Sequence, residues 1–203
     1  MKKKPNMSVV RSGAKVLQMK ITLRHAKPPI WRRIQVNNSI TLYELHNIVQ
    51  ITMGWTNSHL HAFTANDVYY SIPSEDDWQP VVDERNVYVK DVAGREGAKL
   101  EYMYDFGDDW EHTILIEKIL PAIKGEQYPV CVAGRRACPP EDVGGVWGYE
   151  EFLQAIEDPS HPEHESYMEW AGTGFDPARF DRNEINEMLK DVDKYLSDWA
   201  DLY

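Results

Sequence analysis

Two alternating apolar runs joined by a short acidic turn constrain this chain more than any other feature. Leu100, Tyr102, Tyr104 and Phe106 alternate with Glu101, Met103 and Asp105, and after Asp109 the alternation resumes with Trp110, His112, Ile114 and Ile116. A period of two is that of a half-buried strand. Between the runs, Phe106-Gly107-Asp108-Asp109 suits a tight turn, because Gly at the first central position fits type II′. Residues 100–120 therefore predict a β-hairpin. With a two-residue loop, Asp105 faces Trp110 and Met103 faces His112. Side chains two apart share a face, so Asp105, Trp110 and His112 fall on one side, with Asp108, Asp109 and Glu111 at the tip or opposite. A three-residue loop shifts the register by one and undoes that face. The expectation is an Asp105–His112 pair beside Trp110.

Some chemistries are excluded at once. Asp105-Phe106-Gly107 matches a kinase metal-binding triplet, but the chain has no Gly-rich phosphate loop and no His-Arg-Asp catalytic loop. An EF-hand loop beginning at Asp105 fails, since its third position is Gly107 and its twelfth is Ile116. Two readings of the stretch stand. One is a turn rich in Asp because Asp suits turns, with His112 hydrogen-bonded under Trp110. The other is metal binding or acid–base chemistry.

Length and charge narrow the setting. A chain of 203 residues forms one good-sized domain and buries roughly 70% of its unfolded surface. No apolar run approaches the roughly 20 residues of a membrane span. Met1-Lys2-Lys3-Lys4 leads into polar residues, unlike a secretory signal. Only Cys131 and Cys138 are present, which fits a reduced, cytoplasmic protein. The net charge of −11 is uneven: ten bases and no acid precede Glu44, whereas residues 139–203 hold 17 acids and four bases. So acidic a protein is ill suited to broad, non-specific DNA binding, although a local basic edge could still meet phosphate.

Along the chain, residues 1–13 read as a basic arm and 14–203 as a single α+β domain, with a sheet-and-helix core over 14–125 and a loop and helical tail over 126–203. Residues 16–25 and 30–36 read as strands around Pro28-Pro29, with Arg32 and Arg33 on opposite faces. Thr41 and Glu44 form a capping box, and Leu42, Leu45, Ile48 and Val49 recur at helical spacing up to Met53-Gly54-Trp55. His46 reads as a surface or boundary residue of this helix. His59-Leu60-His61 on a strand puts both imidazoles on one face, a metal half-site. Residues 68–72 read as a strand, and 73–99 as a long acid-rich connection that covers the site, with a short strand at Val87-Tyr88-Val89. Residues 128–145 read as a structured loop presenting Glu141 and Asp142, within reach of Arg135 and Arg136. Helices follow over 149–156, from Ser160 to Gly172, and after Asp181. The last carries a stripe of Ile185, Met188, Leu189, Val192, Leu196 and Trp199, read as core. The layout predicts an α+β fold, a β-grasp-like mixed sheet with one crossing helix and appended C-terminal helices.

Five blocks in this order resemble a known family. Pro28-Pro29-Ile30-Trp31-Arg32-Arg33-Ile34, with Leu45-His46 and Met53-Gly54-Trp55, resembles its first, and His59-Leu60-His61-Ala62-Phe63 follows. Residues 104–112 resemble its hallmark; residues 137–145 with Trp147-Gly148-Tyr149 resemble the next block, and Phe175-Asp176-Pro177 with Phe180-Asp181 its tail. The chain is thereby identified as a member of the plasmid (Ri plasmid) ORF-three-like family. The resemblance implies a plasmid and transposable-element setting and supplies no chemistry.

Two functional readings result. The first is a non-enzymatic, cytoplasmic binding or accessory module linked to mobile elements, meeting a protein or nucleic-acid partner through the basic N-terminal region. Its candidate binding site comprises Trp31, Asp105, Asp108, Asp109, Trp110, His112, Glu141 and Asp142. The alternative is a metal-dependent hydrolase or nuclease using the Asp105–His112 cluster, with a divalent metal held among His59, His61, Asp105, His112 and Cys138.

Overall fold

A computed structural model describes residues 14–172 and 174–192. The N-terminal basic arm, and Leu196 and Trp199 of the last apolar stripe, lie outside the described residues. The centre is one eight-stranded sheet in the order β5-β4-β3-β6-β7-β1-β2-β8. Its strands are β1 Lys15–Leu23, β2 Trp31–Asn37, β3 His61–Ala65, β4 Val68–Ser71, β5 Val82–Asp83, β6 Lys99–Tyr104, β7 Trp110–Pro121 and β8 Val130–Arg135. Neighbours pair antiparallel except β4 with β5. The fold is α+β, with a mixed sheet.

Alternation decides which face is buried. Leu17, Met19 and Ile21 of β1 and Ile34 and Val36 of β2 are essentially inaccessible, while Gln18, Lys20, Arg33 and Gln35 between them stay partly exposed. Arg32 and Arg33 part as the pleat requires. Arg32 is buried and donates to the carbonyls of Thr52 (2.7 Å), Trp31 (3.0 Å) and Arg135 (3.1 Å), and Arg33 lies on the open face.

Helix α1, Leu42–Met53, supplies the other half of the core. Thr41 and Glu44 form the expected capping box, with the Glu44 N–H donating to Thr41 Oγ1 at 3.1 Å and the Thr41 N–H to Glu44 Oε2 at 2.7 Å. The helix ends where Gly54 takes the left-handed conformation (φ 94°) that a helix C-terminus favours. Leu42, Leu45 and Val49 are fully buried. Farther on lie α2 Val89–Ala93, α3 Gly145–Glu157, α4 His164–Trp170 and α5 Arg182–Met188.

The connection over 73–99 is more structured than its polar sequence implies. Its strand falls at Val82–Asp83, followed by a 3-10 turn over Glu84–Asn86, while Val89 begins helix α2. The expected strand at Val87-Tyr88-Val89 reduces to one bridge, Thr41 to Tyr88. The segment read as a loop before Cys138 contains β8. Its outer edge is closed by a side chain: the Asn186 amide of α5 accepts from the Cys131 N–H (2.7 Å) and donates to the Cys131 carbonyl (3.0 Å). A side-chain amide thus occupies the place of a neighbouring strand. Among the described residues no helix is long and apolar enough to cross a membrane.

Candidate functional site

Three segments far apart in sequence meet at one end of the sheet: residues 55–60, the loop between β6 and β7, and residues 137–145. The hairpin sets the geometry. Tyr104 pairs with Trp110 and Tyr102 with His112, one residue away from the register of a two-residue turn. The loop is closed by the Asp109 N–H donating to the Asp105 carbonyl at 2.8 Å, and both residues have positive φ, 57° and 53°. Asp105 holds the turn with its own side chain, Oδ1 accepting from the Gly107 N–H (2.9 Å) and the Asp108 N–H (3.4 Å). This local bond is what a short acidic side chain offers a turn. The Asp105 N–H donates to the Leu60 carbonyl at 2.9 Å, which fixes residues 59 and 60 beside the loop.

The segment after Cys138 is held on that hairpin and on residues 55–56 through four anchors. The Gly144 N–H donates to Asp108 Oδ2 at 3.1 Å. Gly145, with φ 68°, comes so close that a Cβ there would stand 2.4 Å from the Asp108 carbonyl oxygen. Trp55 Nε1 donates to the Pro139 carbonyl at 3.1 Å. Glu141 accepts from the Tyr104 hydroxyl at 2.5 Å, from the Thr56 N–H at 3.0 Å, and from the Thr56 hydroxyl. Burial, then Glu141, raises the Tyr104 pKa, so Tyr104 serves as a neutral donor while accepting from the Ser58 N–H (3.0 Å).

At the mouth of this junction stand His59, Asp105 and Asp142. His59 Nε2 lies 3.2 Å from Asp142 Oδ1, and His59 Nδ1 lies 3.6 Å from Asp105 Oδ2. One ligand atom from each of the three falls within 4.8 Å of the others. Asp105 is buried and Asp142 is exposed, so the group spans the boundary between core and solvent. Asp108 and Glu141, in the same segments as Asp105 and Asp142, are taken up by the Gly144 N–H and by Tyr104 and Thr56. Among the described residues no Lys or Arg forms an ion pair with any of them, Arg135 and Arg136 included.

The expected Asp105–His112 pair is absent, and the register shift is the reason. Moving the pairing by one residue turns His112 and Trp110 into the core with Tyr102 and Tyr104, while Asp105 leaves the ladder. His112 is fully buried, edge-on to Trp55 (5.3 Å) and tilted against Tyr102 (5.4 Å). Among the described residues, neither of its ring nitrogens, nor the Trp110 Nε1, has a hydrogen-bond partner. Burial lowers its pKa to about 4, and it sits there as a neutral ring. His112 and Trp110 are core residues, not site residues.

The His59–His61 half-site also divides. The strand begins at His61, whose ring turns inward, while His59 stays outside the ladder and faces the carboxylates. His61 stacks on His46, with ring centroids 3.3 Å apart, and bonds to the fully buried Glu84 at 2.9 Å. His46 is therefore a core residue, not a boundary one. Its nitrogens contact the Tyr102 hydroxyl (2.8 Å) and Asn57 Oδ1 (2.7 Å), and burial first, then His61, puts its pKa well below the ordinary value. Cys138 does not join the cluster, and burial pushes its thiol up to about 12. Trp31 lies elsewhere, on the open face of β2, with Lys20 Nζ and the Arg33 guanidinium each 5.1 Å from its ring.

Sequence reasoning placed Asp142 in the binding set but not as a partner of His59, and missed Thr56, Tyr104 and Glu84. Nothing local in the sequence separates His59 from His61, because their fates are set by where β3 begins its pairing with β6.

Comparison with known proteins agrees with the blocks that meet here. The family described as plasmid pRiA4b ORF-3-like protein matches residues 15–184. An uncharacterized protein of Sinorhizobium fredii (strain NBRC 101917 / NGR234), y4hQ, is 42% identical over 189 residues, covering 92% of this chain and 95% of its own. The crystal structure of MM3350, a protein of unknown function from Methanosarcina mazei Go1, superposes with a TM-score of 0.77 at 38% identity, covering 84% of this chain and 97% of that one. This chain belongs to the plasmid pRiA4b ORF-3-like family.

Proposed function

We propose that this protein is a non-enzymatic, cytoplasmic binding module, an accessory to mobile-element proteins, that holds a single-stranded nucleic acid on the open face of its sheet. One observation carries the reading: on a face that carries polar side chains, Lys20 and Arg33 each lie 5.1 Å from the Trp31 ring. An aromatic ring flanked by positive charge on a sheet offers a base a stacking partner and its phosphates a counter-charge. A β-grasp-like platform preceded by an N-terminal segment rich in Lys and Arg in its sequence is the domain plan that goes with this reading.

Arg33 is tied to Glu117 by two bonds of 2.6 and 2.8 Å, and this pair also lowers the Glu117 pKa. A strand binding here competes with Glu117 for the guanidinium. Glu117→Gln is therefore expected to tighten binding, and Lys20→Ala and Trp31→Ala to weaken it. Fluorescence anisotropy of a labelled single-stranded oligonucleotide, measured across a salt series, checks this. Two phosphate contacts predict a slope of log K against log salt of roughly −1.4. Absence of binding at low salt, or affinity indifferent to all three substitutions, refutes the nucleic-acid partner.

A second reading, a metal-dependent hydrolase or nuclease, draws on the gathering of His59, Asp105 and Asp142. In that version His59 replaces His112 as the imidazole.

A further inference from the structure

We propose that His59, Asp105 and Asp142 form a binding site for one first-row divalent cation of the manganese, iron or zinc class. The set is new to this structure: the His61, His112 and Cys138 ligands expected from the sequence drop out, and Asp142 enters from a different segment.

The ligand atoms are close to the required spacing. Bonds of about 2.0–2.2 Å to such an ion place two ligand atoms roughly 3–4.4 Å apart. The observed separations are 3.2 Å and 3.6 Å for the two imidazole–carboxylate contacts, with one atom from each residue inside 4.8 Å. Because the two contacts use opposite ring nitrogens, a metal takes one nitrogen and requires one carboxylate to swing in. Asp142, with a side chain 71% exposed, is free to make that movement.

The framework is assembled without the ion. Asp105 Oδ1 is committed to the turn, and Oδ2 faces His59 Nδ1 at 3.6 Å. Asp142 sits between two fixed neighbours, Glu141 bound to Thr56 and Tyr104, and Gly144 bound to Asp108. Among the described residues no Lys or Arg is paired with Asp105 or Asp142, so the local field favours a cation. Two carboxylates and an imidazole prefer a borderline metal, whereas calcium and magnesium prefer all-oxygen shells.

This proposal does not rest on the nucleic-acid reading, because the two sites use different residues and different assays. The test is calorimetric titration of the chelator-treated full chain with Zn²⁺, Mn²⁺, Mg²⁺ and Ca²⁺ in turn. Three variants accompany it: Asp142→Asn, His59→Gln and Asp109→Asn. The expected result is saturable binding of Zn²⁺ or Mn²⁺ at one ion per chain, at least tenfold weaker in Asp142→Asn and His59→Gln, and unchanged in Asp109→Asn. Because Asp142 is exposed, its variant keeps the native fold, and decides the matter alone if the His59 variant does not fold. A melting-temperature rise on adding the same ion, absent in Asp142→Asn, gives a second readout. No saturable binding, equal binding by native and Asp142→Asn protein, or tighter binding of Ca²⁺ or Mg²⁺ would each overturn the proposal, leaving an imidazole–carboxylate contact that only fastens two loops.

Discussion

His112 shows how one residue of register changes the meaning of a motif. Read as a tight hairpin, the sequence pairs it with Asp105; in the structure it is a buried neutral ring against Trp55 and Tyr102. This has a pH consequence. Its folded pKa of about 4 lies below the ordinary histidine value, so its contribution to stability is fully present above pH about 6.5 and is lost as pH falls through about 4. The loss amounts to roughly 3 kcal/mol when complete. His46, shifted in the same direction by burial, adds to the same acid limb. Chemical denaturation at pH 7 and pH 4.5 is expected to show a markedly smaller acid-induced loss for His112→Leu than for the native chain. An unchanged acid limb would mean that His112 titrates normally.

At the level of elements, strands β1 to β4, β6 and β7 and the capped helix α1 were legible because each is written in local terms: alternation, a capping box, and a glycine after the last turn. The β8 strand and the true hairpin register were not, because both depend on partners distant in sequence. Strand β8 forms against β2 and is closed by Asn186 from α5, some 55 positions later. Removing that amide with Asn186→Ala leaves the Cys131 N–H and carbonyl without their partner and is expected to cost about 1–3 kcal/mol in a denaturant melt. The docking of residues 137–145 on the hairpin was equally hidden, since Gly144 and Gly145 carry no side chain to signal a contact. Gly145→Ala combines a positive φ with a 2.4 Å approach to the Asp108 carbonyl. It should destabilise by about 1–3 kcal/mol, and weaken Zn²⁺ or Mn²⁺ binding by loosening Asp142. A Gly145→Ala chain as stable as the native one would show that this loop is not fixed on the hairpin.

For the molecule as a whole, charge and sheet geometry divide the labour between two places. Acid groups gather where three segments meet at the hairpin end, while Lys20, Trp31 and Arg33 occupy the open face of β1 and β2. Net charge alone, −11, argued against broad, non-specific DNA binding, and could not reveal that the cations on the strands lie close to an aromatic ring. The residues of the acidic site were also mostly visible as motifs, but their convergence was not, because His59, Asp105 and Asp142 come from three different connections. The most direct measurement of the binding claim is the tryptophan indole region of a nitrogen–proton NMR spectrum, with Trp31 assigned through Trp31→Phe, during titration with a single-stranded oligonucleotide at low salt. The account predicts that the Trp31 indole signal moves saturably while those of the exposed Trp78 and Trp147 stay fixed. A titration that moves Trp78 or Trp147 and leaves Trp31 in place would contradict it.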